Sequence, residues 1–368
     1  MSPARLRVVL ISFDFAEVAA PLASALSARC DVHLYMPRDQ IALFDGELAP
    51  SVAFRPFDKP RLRRPLRQLR LMRRLLRETR ALRPDVVHVQ QGHLWLNLVI
   101  RRFRPFSALV VTVHDPLLHP GDRLSAKTPQ WVNNLAFRAA DSLIVHASAL
   151  VRELARIDGV DPARIYVVPL RVDPGAMVDG AADLEEPATI LFFGRIWPYK
   201  GLEYLVRAAP LIAADVPQLR IVIAGEGEPF GRYAELMEDP RLFEVRYGFI
   251  DNDERSRLFA RAAVVVLPYI QASQSGVVPV AYAAGKPVVA TTVGGLPESV
   301  EEGVTGLLVP PADVPALAAA VSALLTDETR RRQMGAAAAR RFERELAPDA
   351  VAEQTIDVYR AAIDSRSG

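Results

Sequence analysis

The alternation of short apolar runs with helical segments constrains the fold of this chain more than any other sequence feature. One series of runs ends before residue 172, and a second starts at residue 189 after a stretch rich in Pro, Gly and Asp. The predicted strands cover residues 6–11, 32–35, 86–89, 109–113, 143–145, 165–168, 189–193, 219–224, 244–248, 264–267, 288–291 and 307–309. Because strands buried on both faces with helices between them form parallel sheets, the sequence predicts an α/β fold with two doubly wound domains.

The predicted domains cover residues 1–174 and 188–346, and a length of 368 residues is enough for two domains with cores of their own. Ligands of doubly wound sheets bind outside the carboxyl ends of the strands. We therefore expect the two domains to face a shared cleft.

Composition limits the function classes. The net charge of +2 provides no overall attraction to nucleic acid, so no nucleic-acid partner is expected. The single cysteine, Cys30, excludes an intrachain disulfide framework and fits a reducing compartment. The sequence has no apolar run near the roughly 20 residues of a membrane-spanning helix, and its N-terminus lacks a secretory signal pattern. These features predict a cytoplasmic protein.

Residues 190–201 carry the most informative local pattern. An apolar run ends at Gly194, two cations follow at Arg195 and Lys200, and apolar residues at helical spacing begin at Leu202. Backbone N–H groups and the dipole at a helix N-terminus attract anions, and Arg can bind two oxygens at once. The pattern predicts a diphosphate site. A strand–loop–helix unit with solvated Arg and Lys side chains is the alternative interpretation.

Glycine-bearing loops follow several later strands. They contain Gly225 with Gly227, then Gly248, Ser275 with Gly276, and Gly294 with Gly295. Glycine lets a ligand approach the backbone closely, and the segment at Ser275 and Gly276 is expected to begin a helix that exposes further N–H groups. The loops are predicted to line the same site as Arg195 and Lys200.

These motifs together resemble glycosyltransferase family 4, a family of retaining enzymes with the two-domain GT-B architecture. The resemblance is strong over residues 188–310 and weaker in the first half, where it rests on residues 85–88 and 111–115. It implies two Rossmann-like domains, the second binding a nucleotide-diphosphate sugar and the first an acceptor. It also implies that the final helix, residues 347–368, packs back on the first domain.

The resemblance assigns roles to individual residues. Arg195 and Lys200 would bind the donor diphosphate, and His114 would contact the donor sugar. The remaining implied donor-binding residues are Gly194, Gly225, Glu226, Gly227, Ile250, Gln274, Ser275, Gly276 and Glu298. For Glu298, a first-turn carboxylate that stabilises the helix after Pro297 is the favoured interpretation. No metal and no further cofactor are expected, because fixed cations and N–H groups would stabilise the leaving diphosphate.

Other functions stay open at this point. A sugar-nucleotide epimerase or a phosphorylase of the same architecture is the alternative enzyme, and an inactive relative that binds a nucleotide sugar or a membrane is the non-enzymatic alternative. The acceptor can be a glycan, a lipid-linked molecule or a small molecule.

The sequence departs from the family pattern at two places. Where the family usually has two glutamates that contact the donor sugar and ribose, this chain has Ala272 and Val280. Where the family often has two glycines near the N-terminus, it has Ala19 and Ala20, which predict a wider loop. The donor-sugar contacts are therefore not defined by the motifs.

Two polar clusters have competing interpretations. Asp251, Asn252 and Asp253 resemble the metal-binding triplet of GT-A enzymes, but Asp251 followed by Glu254 is the pattern of a helix cap, which we favour. A second cluster, predicted at a strand end, is a candidate metal or acceptor site or a polar wall of the cleft. It consists of His88, Gln90, Gln91 and His93.

Residues 59–83 form a basic segment with eleven Lys or Arg and one acid, Glu78. An apolar stripe is predicted at Leu62, Leu66, Leu69, Met72 and Leu76. A basic amphipathic helix is typical of proteins that bind anionic lipid, and a surface helix docked on its own domain is the equal alternative. Lipid binding would place the protein peripherally at the inner face of the membrane.

Overall fold

The computed structural model describes residues 5–41, 48–90, 93–116, 128–170 and 184–366. The chain divides into two compact units, residues 1–173 with 347–368, and residues 174–346. Each unit is built on one parallel sheet with helices on its faces.

The first unit contains a sheet in the order β3-β2-β1-β4-β5-β6-β7. Its strands are β1 (Arg7–Ile11), β2 (Asp31–Pro37), β3 (Ala53–Phe57), β4 (Val86–Gln90), β5 (Ala108–Thr112), β6 (Ser142–Val145) and β7 (Ile165–Val167). Its helices are α1 (Ala16–Ser27), α2 (Arg38–Ile41), α3 (Pro65–Leu82), α4 (Leu94–Val99), α5 (Gln130–Ala139), α6 (Ser148–Leu154) and α14 (Pro348–Asp364). Two apolar cores, one on each face, bury the sheet.

The second unit contains a sheet in the order β10-β9-β8-β11-β12-β13. Its strands are β8 (Thr189–Phe193), β9 (Arg220–Gly225), β10 (Phe243–Tyr247), β11 (Val264–Leu267), β12 (Val288–Thr291) and β13 (Gly306–Val309). Its helices are α7 (Leu202–Asp215), α8 (Gly231–Ala234), α9 (Asn252–Arg261), α10 (Val277–Ala283), α11 (Leu296–Ser299), α12 (Val314–Thr326) and α13 (Glu328–Arg341). A π-helical turn, Phe342–Leu346, follows α13.

The predicted α/β class with two doubly wound parallel sheets is confirmed, and every predicted strand matches an observed one to within two residues. Strand β3 was not predicted. It contains Pro56, which lies opposite Met36 of β2 and has no N–H group to donate. The proline is tolerated because β3 is an edge strand that pairs only with β2.

Helix α14 closes the chain and packs against α1 in the first unit. Its buried face includes Val351, Ile356 and Tyr359. At its N-terminal end, Arg29 pairs with Asp349 at 3.0 Å and with Glu353 at 2.9 Å. The last helix therefore covers the face of the sheet on which α1 lies.

The buried face of α3 differs from the predicted stripe. The residues that the first unit buries are Gln68, Leu71, Met72, Leu75 and Thr79. Leu66 and Leu69 are instead 70% and 38% exposed. The predicted stripe therefore overlaps the buried face only in its second half, where Met72 is buried and Leu76 packs against the core, while Leu62 precedes the helix.

Within the described residues, no helix is long and apolar enough to cross a bilayer.

Candidate functional site

Lys200 lies where the sequence predicted, just beyond the carboxyl end of β8. The chain leaves β8 at Phe193, forms a 3-10 turn at Pro198–Lys200 and enters α7 at Leu202. Gly201 joins the turn to the helix with φ +67°, and a Cβ atom there would overlap the carbonyl oxygen of Pro268. A glycine at this position thus lets the Lys200 turn lie directly against the end of β11.

Tyr269 brings separate parts of the predicted site together. Lys200 Nζ lies 3.8 Å from the centre of the Tyr269 ring, and the Tyr269 hydroxyl lies 3.1 Å from Ser275 Oγ. Burial raises the pKa of Tyr269 to about 12, while the hydrogen bond with Ser275 and the positive charge of Arg195 act in the opposite direction. One predicted cation and the predicted serine therefore contact one buried phenol, and the charge of Arg195 acts on the same group.

The position of Tyr269 in the site was not predicted from the sequence. An aromatic residue that follows an apolar strand is usually part of a core, and Tyr269 is indeed completely buried. The one signal was chemical: a buried tyrosine hydroxyl needs a hydrogen-bond partner, and Ser275 follows six residues later in a loop of small polar residues. A cation over its ring face adds an attraction of about 0.5–2 kcal/mol.

The loop that follows β9 packs on the loop that follows β8. Gly194 N donates to Ala224 O at 2.9 Å, and Ile196 N donates to Glu226 O at 2.7 Å. Gly225 has φ +139°, and a Cβ atom there would overlap the carbonyl oxygen of Gly194. A glycine at position 225 therefore lets the two loops pack closely together, a structural role that the sequence did not indicate.

Predicted donor-binding residues flank these loops. Gly227 forms an isolated β-bridge with Ile196. Glu226 is exposed, and Ile250 is half-buried beyond the end of β10. Their predicted contacts with a nucleotide stay predictions.

The segment before α10 carries the other predicted backbone donors. Gly276 is the N-cap of α10, and Val277 N donates to Ser275 Oγ at 3.3 Å. Gln274 is half-buried. Ala272 and Val280, which replace the family's glutamates, are 9% and 4% exposed, so these two positions contribute buried apolar groups.

Glu298 lies in the first turn of the short helix α11, directly after Pro297. Its side chain is exposed and its carbonyl oxygen accepts a hydrogen bond from Arg341 at 2.7 Å. This position agrees with the favoured interpretation of Glu298 as a first-turn carboxylate.

The predicted helix cap at Asp251 is confirmed. Asp251 is the N-cap of α9, and its Oδ1 accepts from Glu254 N at 2.7 Å. That carboxylate oxygen therefore already has a backbone partner, as expected for a cap.

In the first unit, His114 lies just beyond the carboxyl end of β5 and is 2% exposed. Its Nε2 lies 2.8 Å from Gln90 Oε1, and its ring stacks on Phe15 at 4.0 Å. Burial, assisted by the nearby His146, holds the pKa of His114 well below its ordinary value. The ring is therefore neutral near pH 7, and its predicted contact with a donor sugar stays a prediction.

His88 does not belong to the polar cluster that the sequence suggested. It is completely buried within β4, with Nδ1 2.8 Å from the Tyr359 hydroxyl and Nε2 2.7 Å from Thr112 Oγ1. Burial lowers the pKa of His88 to about 3. Because both ring nitrogens are occupied, His88 holds α14 against the sheet and is not available to a metal or acceptor.

His93 also has a local structural role. It is the N-cap of α4, and its Nδ1 accepts from Leu96 N at 3.3 Å. Gln91, the remaining member of the predicted cluster, lies outside the described residues.

Ala19 and Ala20 do not widen a loop. Both lie within α1 and are completely buried. Helix α1 begins at Ala16 and alanine has the highest helix propensity, so the segment continues the helix at the positions where the sequence suggested a loop.

The chain matches two family descriptions. Residues 16–175 match Glycosyltransferase Family 4, and residues 187–327 match Glycosyl transferases group 1. The chain is 32% identical to a D-inositol 3-phosphate glycosyltransferase from Kribbella flavida, over 89% of this chain and 84% of that protein. It is 31% identical to a glycogen synthase from Mycobacterium tuberculosis, over 77% of this chain and 70% of that protein.

Solved structures share the fold. A sucrose-phosphate synthase from Thermosynechococcus elongatus superposes with a TM-score of 0.77 at 22% identity, covering 97% of this chain and 98% of that one. Anabaena HepE, solved in complex with UDP and glucose, gives a TM-score of 0.74 at 19% identity, covering 96% and 99%. From the family matches, the relatives and the two parallel sheets, we conclude that the chain is a glycosyltransferase of the GT-B fold and belongs to glycosyltransferase family 4.

Proposed function

We propose that the protein transfers a sugar from a nucleotide-diphosphate sugar to an acceptor hydroxyl, with retention of the anomeric configuration and without a metal ion. The observation that carries the proposal is the contact of Lys200 and Ser275 with Tyr269, on which the positive charge of Arg195 also acts. The complexes of Anabaena HepE with UDP and with UDP-glucose support a donor of this class.

In the proposed reaction, the bond between the anomeric carbon and the diphosphate oxygen breaks while the acceptor oxygen bonds to the same face of the sugar. The acceptor proton passes to the departing diphosphate. Negative charge grows on the diphosphate as the bond breaks, so cations fixed at that point stabilise the transition state more than the ground state. Arg195 and Lys200 would supply those charges, and packing against Tyr269 would hold the Lys200 ammonium in place.

A thermal-shift screen against nucleotide sugars of different bases and sugars tests the proposal. A true donor present at about 100 times its dissociation constant should stabilise the protein by about 2.7 kcal/mol. The selected donor should then release its nucleoside diphosphate in the presence of an acceptor, and NMR of the product should show the donor's anomeric configuration. An inverted product would contradict the proposed stereochemistry.

Metal independence gives a second expected result. Transfer should continue at an unchanged rate in excess EDTA, because the leaving group is stabilised by side chains. The Asp251→Ala variant should lose about 1 kcal/mol of stability, the usual cost of removing a helix cap, while its kcat stays the same. Loss of activity in EDTA with recovery in Mn²⁺ would contradict the proposal, and an inactive Asp251→Ala variant would restore the metal interpretation of residues 251–253.

We further propose that α3 binds an anionic membrane surface, which would bring the enzyme to a lipid-linked or membrane-located acceptor. The six arginines of α3, at positions 67, 70, 73, 74, 77 and 80, are all exposed. Leu66 and Leu69 are exposed among them, and Leu98 on α4 and Trp131 on α5 are 44% and 60% exposed. Basic side chains around exposed apolar groups are the combination that interfacial helices use.

Liposome sedimentation tests this surface. The protein should bind vesicles rich in anionic lipid at low salt and dissociate as salt rises, since each basic residue near the surface contributes about 1 kcal/mol. Replacing both Leu66 and Leu69 with Ser should weaken binding about tenfold or more through lost apolar burial. Leu211→Ser, a change at a leucine that is 48% exposed in the second unit, is the matched control. Absence of binding at low salt would leave α3 as a solvated surface helix.

A further inference from the structure

An arginine-lined cavity opens at the amino edge of the first sheet, opposite the edge that carries His114. Its volume is about 680 Å³, and it is lined by Arg101, Arg104, Pro105, Arg138, Ser365 and Arg366. The location follows from the sheet: Arg104 and Pro105 precede β5, Arg138 precedes β6, and Arg366 follows the end of α14. The cavity is thus formed within the first unit and contains none of the residues assigned to the donor.

A buried aspartate holds two of the arginines in place. Asp141 is 3% exposed, and its carboxylate accepts from Arg104 at 2.6 Å and pairs with Arg366 at 3.4 Å. The same carboxylate accepts from Leu109 N at 2.8 Å, and Arg366 also donates to Ser107 O at 2.6 Å. These guanidinium groups are therefore oriented before any ligand arrives, which lowers the entropic cost of binding.

The arginines outnumber the carboxylates that neutralise them. Asp141 compensates one charge, and Asp158 lies 3.9 Å from Arg138 with its side chain fully exposed, where screening makes the pair weak. The guanidinium group of Arg101 forms no hydrogen bond or ion pair with the described residues. The described residues that line the cavity include no acid. A concave surface with an excess of positive charge attracts anions.

We propose that this cavity binds a phosphate-bearing anion, at a site distinct from the donor site and additional to the proposed function. Guanidinium groups match phosphate oxygens in pairs, and the cavity is open enough to admit a phosphate group from solvent. The phosphate could belong to a soluble phosphate ester or polyphosphate, or to a lipid headgroup. Both sources present the same chemistry to the four arginines.

Calorimetric titration with inorganic tripolyphosphate tests the soluble source. The protein carries Arg195→Ala and Lys200→Ala in this experiment, so that the proposed donor site does not contribute. We expect one binding site, weakened about tenfold or more by Arg101→Gln with Arg138→Gln, because the double variant loses two charged hydrogen-bond donors to the phosphate oxygens. Arg102→Gln is the matched control: Arg102 lies in the same 3-10 turn as Arg101, is exposed and does not line the cavity.

Sedimentation with phosphatidic acid vesicles tests the lipid source, in a protein whose Leu66 and Leu69 are replaced by Ser so that α3 contributes less; the Arg101→Gln and Arg138→Gln changes are compared in this same background. Dependence on Arg101 and Arg138 in the titration alone identifies a soluble ligand, and dependence in the vesicle experiment alone identifies a lipid headgroup. The proposal is overturned if neither experiment depends on these two arginines, or if Arg102→Gln weakens binding as much as they do. Thermal denaturation of each variant establishes that it is folded.

Discussion

Lys200→Ala is expected to lower kcat at saturating donor by about 10²–10³, the scale for losing one group that stabilises transition-state charge. The effect should fall on kcat more than on KM, since the charge on the diphosphate grows only as the bond to the sugar breaks. Steady-state rates of nucleoside diphosphate release at several donor concentrations separate the two parameters.

Two further variants serve as comparisons for Lys200→Ala. Lys200→Arg keeps a positive charge but changes its shape, so it should recover part of the lost rate. Arg207→Ala removes an exposed cation from α7, the helix that follows the Lys200 turn, and should leave kcat unchanged. If Lys200→Ala also transferred sugar at the normal rate, Lys200 would have no part in the mechanism.

Gly201→Ala is expected to damage both stability and activity. The left-handed backbone at this position costs a non-glycine residue about 1–3 kcal/mol, and the overlap with the Pro268 carbonyl adds an overpacking cost of about 1–3 kcal/mol. Because the turn must move away from the end of β11 to relieve the overlap, Lys200 should lose its position over the Tyr269 ring. Urea unfolding and kcat measure the two effects.

Gly231→Ala is the matched control for this change. Gly231 lies in the same unit at the start of α8, and a Cβ atom there would meet nothing within 4 Å. Its urea midpoint and kcat should stay close to the unchanged protein. A Gly201→Ala variant that was as stable and as active as Gly231→Ala would show that the turn does not depend on close contact with Pro268.

The strands could be predicted because their signal is local. A strand of a parallel sheet is buried on both faces, so it appears in the sequence as a short apolar run between helical segments. β3 lacks that signal: it is half-buried, contains Pro56 and lies at the edge of its sheet. The face of α3 was predicted only in part: Met72 is buried and Leu76 packs against the core, but Leu66 and Leu69 are exposed. A helix with apolar residues on several sides does not itself show which side meets the core.

The candidate site could be predicted only in part. Arg195, Lys200 and Ser275 follow strand ends, so a parallel sheet brings them to one edge. Tyr269 was missed because a buried aromatic residue after an apolar strand has the sequence pattern of an ordinary core residue. His88 was misinterpreted because its partner Tyr359 is 271 residues away in the sequence, and no local pattern connects a strand histidine with a tyrosine of the last helix.

A crystal structure with bound UDP or GDP would show whether Arg195 and Lys200 bind the donor diphosphate. We expect the diphosphate next to Lys200 Nζ and the Arg195 guanidinium, on the side of the second unit where Tyr269 and Ser275 lie. A nucleotide bound elsewhere, or a diphosphate that neither cation touches, would contradict this expectation.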